Sequence, residues 1–154
     1  MHFTVQNLIN IENEIKLNLS DIDTINLPKI VAVSKTFKID KILPLIDHGH
    51  IDFGENKIQE AVDKWTEIKL KNSNIKLHMI GKLQTNKVKF AVKLFDCIHS
   101  VDNKKLAQKI ADEQKKVNKK IKIFIQVNIG DEEQKSGIKK TEVNDLILYC
   151  KKID

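Results

Sequence analysis

Lys35 is the residue of this chain whose type and position most clearly indicate covalent chemistry. It follows an apolar run, IVAVS at residues 30–34, at the point where a parallel strand would open into a loop. An ammonium group against an apolar wall loses hydration, which favours the neutral amine, the form that attacks an aldehyde. Such a lysine can form a Schiff base. On these residues alone, the alternative is a lysine whose stem lies along the strand end while its charged head reaches water.

Three other groups of polar residues have types that could carry chemistry. Gly81-Lys82 resembles the end of a phosphate-binding loop, but that motif needs a glycine five residues earlier and Ser or Thr after the lysine, and both are missing. His48 and His50 flank a glycine, and no third ligand has a spacing suited to zinc. Lys135 follows an acidic stretch that is typical of a solvated loop. The alternative there is a loop over a ligand mouth, in which Lys135 pairs with a phosphate or acts as a second amine acceptor.

The elements that must position Lys35 alternate between short β-rich runs and longer helical runs. Leu8, Ile11, Ile15 and Leu19 recur at spacings of three and four residues, which predicts an amphipathic helix over residues 5–19. After a loop at 20–28, strands are predicted at 30–34, 51–54, 77–81, 96–101 and 121–129, and helices at 39–48, 57–69, 85–93, 103–117 and 142–151. Strands that alternate with helices pair in parallel, because each crossover returns the chain to the same end of the sheet.

The spacing of these units predicts an α/β fold. The predicted strands begin about every 23 residues, and a barrel of eight such units would need about 60 residues more than this chain has. We therefore expect a single domain over 1–154 that is either an open five-stranded doubly wound sheet or an incomplete (β/α)8 barrel. In both architectures ligands bind at the carboxyl ends of the strands. The residues that map to that edge are Lys35, Asn56, Gly81, Asp102 and Asn128.

Composition and charge limit the classes of partner. The chain of 154 residues is 41% hydrophobic and 31% charged, which is ordinary for a globular protein. Its net charge of +6 is spread out, and the densest basic run, at 115–120, lies where a helix should end, so no nucleic-acid surface is predicted.

No apolar run approaches the ~20 residues of a membrane span, and the amino terminus does not resemble a signal peptide, which favours a cytoplasmic protein without a membrane partner. Cys97 and Cys150 are predicted to be packed thiols.

Five strings near the predicted strand ends resemble, in order, those of one known family. They are VAVSKT at 31–36; FGEN at 53–56 continuing into QE at 59–60; HMIG at 78–81 with LQ at 83–84 and NK at 86–87; HSVD at 99–102; and QVNIG at 126–130 with KSG at 135–137. In this order and spacing the chain closely resembles the pyridoxal phosphate homeostasis protein family, also called the proline synthase co-transcribed or alanine racemase N-terminal-like family. The resemblance covers about residues 5–150.

This resemblance implies a (β/α)8 barrel of the TIM-barrel type, here an incomplete one with about five parallel strands and an extra amino-terminal helix. It also implies that pyridoxal 5′-phosphate is held at the carboxyl face by an imine to a lysine of the first strand, which Lys35 matches. Asn56 matches a position beside the cofactor, where an amide could hydrogen-bond the ring hydroxyl, and Ile80 matches an apolar position near the ring. Members of the family are regarded as carriers or regulators of the cofactor without an established reaction. The implied partners are therefore the cofactor and apo-enzymes that receive it.

The family pattern continues into three further strands that carry a phosphate cradle, which this sequence lacks, so we expect a weaker hold on the cofactor than in full-length relatives. Unclosed edges at strands one and five are expected to promote association. Two alternative functions stay open. One is a weak pyridoxal-dependent, racemase-like enzyme, which would need a second acid/base group, whereas the sole tyrosine, Tyr149, lies in the last predicted helix. The other is a truncated relative that acts through interaction, or not at all, with weak or no cofactor binding.

Overall fold

The computed structural model describes residues 1–19, 28–130, 132 and 134–153. The helices are α1 (Phe3–Asn18), α2 (Leu43–Asp47), α3 (Ile58–Lys71), α4 (Val88–Leu94), α5 (Lys104–Lys116) and α6 (Val143–Ile153). The strands are β1 (Ala32–Val33), β2 (Asp52–Glu55), β3 (Lys76–Met79), β4 (Cys97–Val101), β5 (Lys122–Ile125), β6 (Val127–Asn128) and β7 (Ile138–Lys139). Short 3-10 turns at Ile39–Lys41, Thr85–Lys87 and Lys140–Glu142 lead into α2, α4 and α6. Every predicted helix and strand therefore has a counterpart.

Strands β1 to β5 form one parallel sheet in which the spatial order of the strands follows their order along the chain. A helix connects each strand to the next, as parallel pairing requires. A doubly wound sheet reverses its strand order at a switch point, whereas successive units of a (β/α)8 barrel do not. The doubly wound alternative is therefore wrong, and the sequential order is that of a barrel.

The two faces of this sheet differ in how well they are covered. Phe53 of β2 and Leu77 of β3 are paired in register and fully buried against the helices, and the rings of Phe53 and Trp65 of α3 have centroids 4.9 Å apart. On the opposite side, Val33 of β1 is 47% exposed and Phe124 of β5 is 40% exposed. We call this second side, on which Val33 and Phe124 lie, the open face.

The structure differs from the sequence prediction in the last strand, which was expected to run over residues 121–129. Only Lys122–Ile125 is paired as a strand of the main sheet. Gln126 N still donates to Val101 O of β4 at 2.9 Å, whereas Gln126 O accepts from Ile138 N at 2.8 Å and so begins the pairing with β7. The next two residues, β6, pair in parallel with β7, inside a segment for which no strand was predicted. Most of the predicted loop at 20–28 lies outside the described residues.

Both cysteines are free thiols, as predicted. Cys97 is buried and Cys150 is half-buried, and burial raises the pKa of both thiols. Among the described residues, no helix combines the length and apolar character that crossing a bilayer requires.

Candidate functional site

The residues singled out by the sequence, Lys35, Asn56 and Ile80, follow three neighbouring strands. Val33 of β1 is paired with Gly54 of β2, and Lys35 and Asn56 each follow two residues later. The register between β2 and β3 places Ile80 at the level of Asn56. Since register partners in parallel strands project to the same side, the three positions form one row at the carboxyl edge of the sheet, which we call the Lys35 edge.

Asn56 is held at this edge by close packing of the backbone. A Cβ atom on Gly81 would overlap the carbonyl oxygen of Asn56 and lie 2.8 Å from its Cα, so only glycine lets the two loops approach this closely. The side-chain oxygen Oδ1 of Asn56 is buried and has no hydrogen-bond partner. Buried polar atoms without a partner are uncommon in folded proteins and mark a place where a ligand can supply the missing bond.

Lys35 itself is exposed. The desolvated amine expected from the apolar run is therefore wrong for this chain. Of that run, Ala32 is paired with Phe53 on the helix-covered side of the sheet, while Val33 faces the open side and is itself 47% exposed. The amine consequently stands at the strand end in contact with water.

A buried polar network fixes the residue that precedes Lys35. Glu55 is fully buried, and its Oε1 accepts hydrogen bonds from Ser34 Oγ (2.8 Å), Lys64 Nζ (3.0 Å) and Trp65 Nε1 (2.9 Å). Lys64 Nζ also donates to the carbonyl oxygen of Ser34 at 2.8 Å. Ser34 is thus anchored through both its side chain and its backbone.

The residue that follows Lys35 is anchored as well. Thr36 has a positive φ of 65°, a conformation that a β-branched residue rarely adopts. Its N–H donates to Glu60 Oε1 at 2.6 Å, and Lys64 Nζ donates to the same oxygen at 3.2 Å. The hydrogen bond from Thr36, followed by that from Lys64, lowers the pKa of Glu60. The backbone of Lys35 is therefore fixed on both sides, while its side chain makes no hydrogen bond or ion pair within the described residues.

The sequence analysis did not assign a role to the residues of this network. Glu55 was noted in the FGEN string, and Lys64 and Trp65 lie in a predicted helix, but nothing in the sequence shows that they meet. A signal was present nonetheless. A glutamate inside a strand that is otherwise buried must find partners for its carboxylate, and a lysine and a tryptophan one after the other on the next helix are suitable donors.

A second polar row, also missed, lies on the open face. His78 Nε2 is 2.9 Å from Asp52 Oδ1, and His78 Nδ1 is 2.9 Å from His99 Nε2. The ring of His99 stacks on Phe124 with centroids 4.4 Å apart. Burial, and then the charge of His78, lower the pKa of His99. Within the described residues, no three His, Cys, Asp or Glu side chains are grouped so that they could hold a metal ion.

The remaining strand-end residues hold the loop between β6 and β7. Asn128 Nδ2 donates to Glu132 O at 2.9 Å, and the N–H of Gly137 donates to Asp102 Oδ2 at 3.4 Å. Lys135 Nζ pairs with Glu132 Oε1 at 2.6 Å. These contacts are within the loop or between the loop and the end of β4, so Asp102 and Asn128 serve its conformation.

A barrel-type sheet with a lysine at the end of its first strand defines a class of domain, and the comparison with known families agrees. Residues 12–154 match the model of the alanine racemase N-terminal domain, and the chain belongs to this family. The pyridoxal phosphate homeostasis protein of Pasteurella multocida is 39% identical over 118 residues, which are 77% of this chain and 51% of that protein. The protein of the same name from Escherichia coli K12 is 37% identical over 76% of this chain and 50% of its own length. The chain thus spans about half the length of these curated relatives.

Solved structures confirm the incomplete-barrel prediction. PipY of Synechococcus elongatus PCC7942, solved without pyridoxal phosphate, superposes with a TM-score of 0.83 at 26% identity, over 97% of this chain and 65% of its own. The same protein with pyridoxal phosphate bound gives 0.72 at 28% identity, over 92% and 62%. Alanine racemase of Clostridium difficile 630 gives 0.69 at 17% identity, over 97% and 38%, a likeness of fold alone. The five strands correspond to part of this larger barrel domain.

Proposed function

We propose that this chain binds pyridoxal 5′-phosphate at the Lys35 edge and takes part in the homeostasis of that cofactor. The observation that carries the proposal is the row of Lys35, Asn56 and Ile80 on three adjacent strands, with the Asn56 side-chain oxygen buried and free of a partner. Two comparisons support it. Relatives that match most of this chain are named pyridoxal phosphate homeostasis proteins, and PipY has been solved with the cofactor bound.

Each residue of the row has a distinct task in this proposal. When bound, the cofactor supplies an aldehyde, which a primary amine captures by forming a carbon–nitrogen bond and releasing the carbonyl oxygen as water. Lys35 Nζ provides that amine, on a backbone held in place by Ser34 and Thr36. The Asn56 amide makes a hydrogen bond to a ring substituent, and the half-buried Ile80 gives an apolar contact for the ring.

A carrier role agrees with the chemistry of this edge better than a racemase-like reaction does. A racemase needs an acid/base group on the second face of the ring, and Tyr149, the sole tyrosine, lies in α6. Its hydroxyl donates to Gln108 Oε1 at 2.8 Å, which places it in the helical layer on α5. An exposed Lys35 also suits release, because water and the amines of recipient apo-enzymes can reach the linkage.

Borohydride reduction followed by mass spectrometry tests the proposal. After incubation with pyridoxal phosphate, we expect an absorbance band at about 420 nm. After reduction, we expect a pyridoxyl adduct on Lys35. Lys35→Ala should lose both signals. The matched control Lys38→Ala, which removes another exposed lysine three residues later, should keep them. A band that persists in Lys35→Ala, or an adduct elsewhere with Lys35 unmodified, would refute the assignment.

The role of Asn56 can be tested by the same absorbance. Truncating an amide that makes one hydrogen bond to the ligand removes about 1.4 kcal/mol of binding free energy, or about tenfold in affinity. We therefore expect Asn56→Ala to need about ten times more pyridoxal phosphate for half-saturation of the band. An unchanged half-saturating concentration would remove Asn56 from the site.

A further inference from the structure

Beside the Lys35 edge lies a cavity of which the proposed function uses only Asn56. It has a volume of about 420 Å³ and lies at the carboxyl ends of β2 and β3, between α3 and α4. This volume is within the range of small-molecule sites, roughly 300 to 1,000 Å³. Its polar and aromatic lining consists of Asn56, Lys57, Gln59, Lys82, Gln84, Lys87 and Phe90.

The charge of this cavity is not balanced. Lys57, Lys82 and Lys87 line it, and none of its lining residues is acidic. Within the described part of the chain, none of the three lysines forms an ion pair. Glu60 has an electrostatic interaction with Lys57, so Lys82 and Lys87 carry most of the uncompensated charge. Cations gathered in a concave site raise the local potential and attract an anion.

The other groups of the lining suit an anion that also has an apolar part. Helix α3 begins at the cavity: its N-cap residue Lys57 makes no side-chain capping bond, and Ile58 of its first turn lines the wall. The positive end of the helix dipole therefore lies at this wall. Phe90 is 42% exposed, and Lys87 Nζ lies 5.9 Å from its ring centroid. Asn56 forms the wall shared with the Lys35 edge.

Two of the strings that stood out in the sequence meet at this cavity. The first covers residues 53–60, and the second covers 78–87. Asn56 belongs to the Lys35 edge, where the packing of Gly81 against its backbone and the hydrogen bond from Thr36 to Glu60 support that edge. Gln59, Lys82 and Lys87 line the cavity. The lysine of Gly81-Lys82, which does not belong to a phosphate-binding loop of the usual motif, is thus placed beside a helix start by the fold instead.

We infer that this cavity binds a small phosphorylated metabolite, with the phosphate at Lys82 and Lys87 and a ring or apolar portion against Phe90. A dianionic phosphate matches the two uncompensated ammonium groups in charge, and lysines bind phosphate as point charges without a fixed geometry. The inference goes beyond the cofactor proposal and does not depend on it, because no step requires Lys35.

Inorganic phosphate is the probe for the test, and calorimetric titration at constant ionic strength is the measurement. We expect saturable binding to the parent chain and to Lys35→Ala, which separates this site from any capture of an aldehyde. The double variant Lys82→Gln/Lys87→Gln should bind at least tenfold more weakly, since two charge-assisted contacts are lost. The control Lys71→Gln/Lys93→Gln removes the same charge from exposed positions in the last turns of α3 and α4 and should bind like the parent.

Three results would overturn the inference. The first is a parent chain that shows no saturable binding of phosphate. The second is an equal loss in the two double variants, which would mean that the probe responds to net charge and not to the cavity. The third is a single-stranded oligonucleotide that binds through Lys82 and Lys87 more tightly than phosphate, because the site would then serve nucleic acid. Circular dichroism of all variants establishes that each is folded.

Discussion

Removing the ammonium of Lys64 should leave the carboxylate of Glu55 charged and buried. Glu55 is fully buried and the Lys64 side chain is 9% exposed, with Nζ 3.0 Å from Glu55 Oε1. Breaking such a pair by deleting one partner costs about 3–5 kcal/mol. The carboxylate keeps its hydrogen bonds from Ser34 and Trp65. We therefore expect Lys64→Met to lower the free energy of unfolding by about 3 kcal/mol, the lower end of this range.

Neutralising the unpaired Glu55 carboxylate should recover part of the unfolding free energy that Lys64→Met loses. In Glu55→Gln/Lys64→Met no charge is buried, and the amide oxygen still accepts from Ser34 and Trp65. We therefore expect the double variant to be more stable than Lys64→Met by about 1–2 kcal/mol, so that the costs of the two single changes do not add. Glu55→Gln alone leaves the Lys64 ammonium with Glu60 Oε1 at 3.2 Å and the Ser34 carbonyl oxygen at 2.8 Å, so it should cost less, about 1 kcal/mol.

Urea denaturation of the four proteins at neutral pH measures this cycle, provided that the slopes of the transitions agree. Lys38→Met, at an exposed lysine without an ion pair in the described structure, is the control and should stay within about 0.5 kcal/mol of the parent. A cost below about 1 kcal/mol for Lys64→Met would show that the carboxylate is hydrated, contrary to its burial. Additive effects of the two single changes would contradict the pairing itself.

Gly81→Ala should lower the free energy of unfolding by about 2 kcal/mol, because the new Cβ would overlap the backbone of Asn56; an unchanged urea midpoint would contradict the close approach. Hydrogen bonds from Lys109 and then Lys116 lower the pKa of Glu113 from 4.5 to about 2. Because the folded pKa is depressed, the stabilisation is present above about pH 4.5 and is lost as the pH falls toward 2. Unfolding followed between pH 2 and 5 should thus show a flatter pH dependence for Glu113→Gln, and a parallel dependence in both proteins would speak against these bonds.

The sequence predicted Lys35 and Asn56 at this edge because both follow apolar strand runs and parallel strands share one carboxyl edge, whereas Ile80 was expected near the ring only from the family resemblance. The register places them at one level, whereas their part in cofactor binding stays a prediction. The exposure of Lys35 could not be predicted, since it depends on how much of a barrel surrounds the strand end and not on the run that precedes it.

The contacts among Glu55, Lys64 and Trp65 could not be predicted from the sequence for a different reason. The contact of Lys64 and Trp65 with Glu55 depends on which side of α3 faces the sheet, and a helical pattern sets that rotation only within a broad apolar stripe. The two-residue strand β7 is too short to show alternation, so no pattern could distinguish it from a loop. The residues of β6 were predicted as part of the strand at 121–129, and nothing in that run shows that they leave the main sheet.

The agreement between strand order and chain order has a consequence for synthesis on the ribosome. Phe53 pairs with Leu77, and Ile98 pairs with Ile123, so partners are separated by about 25 residues and the entropy lost in bringing them together is small. When each strand of the main sheet leaves the ribosome, the preceding strand with which it pairs has already been synthesised. The nascent polypeptide can therefore add strands β2 to β5 to its sheet one after another, from the amino end.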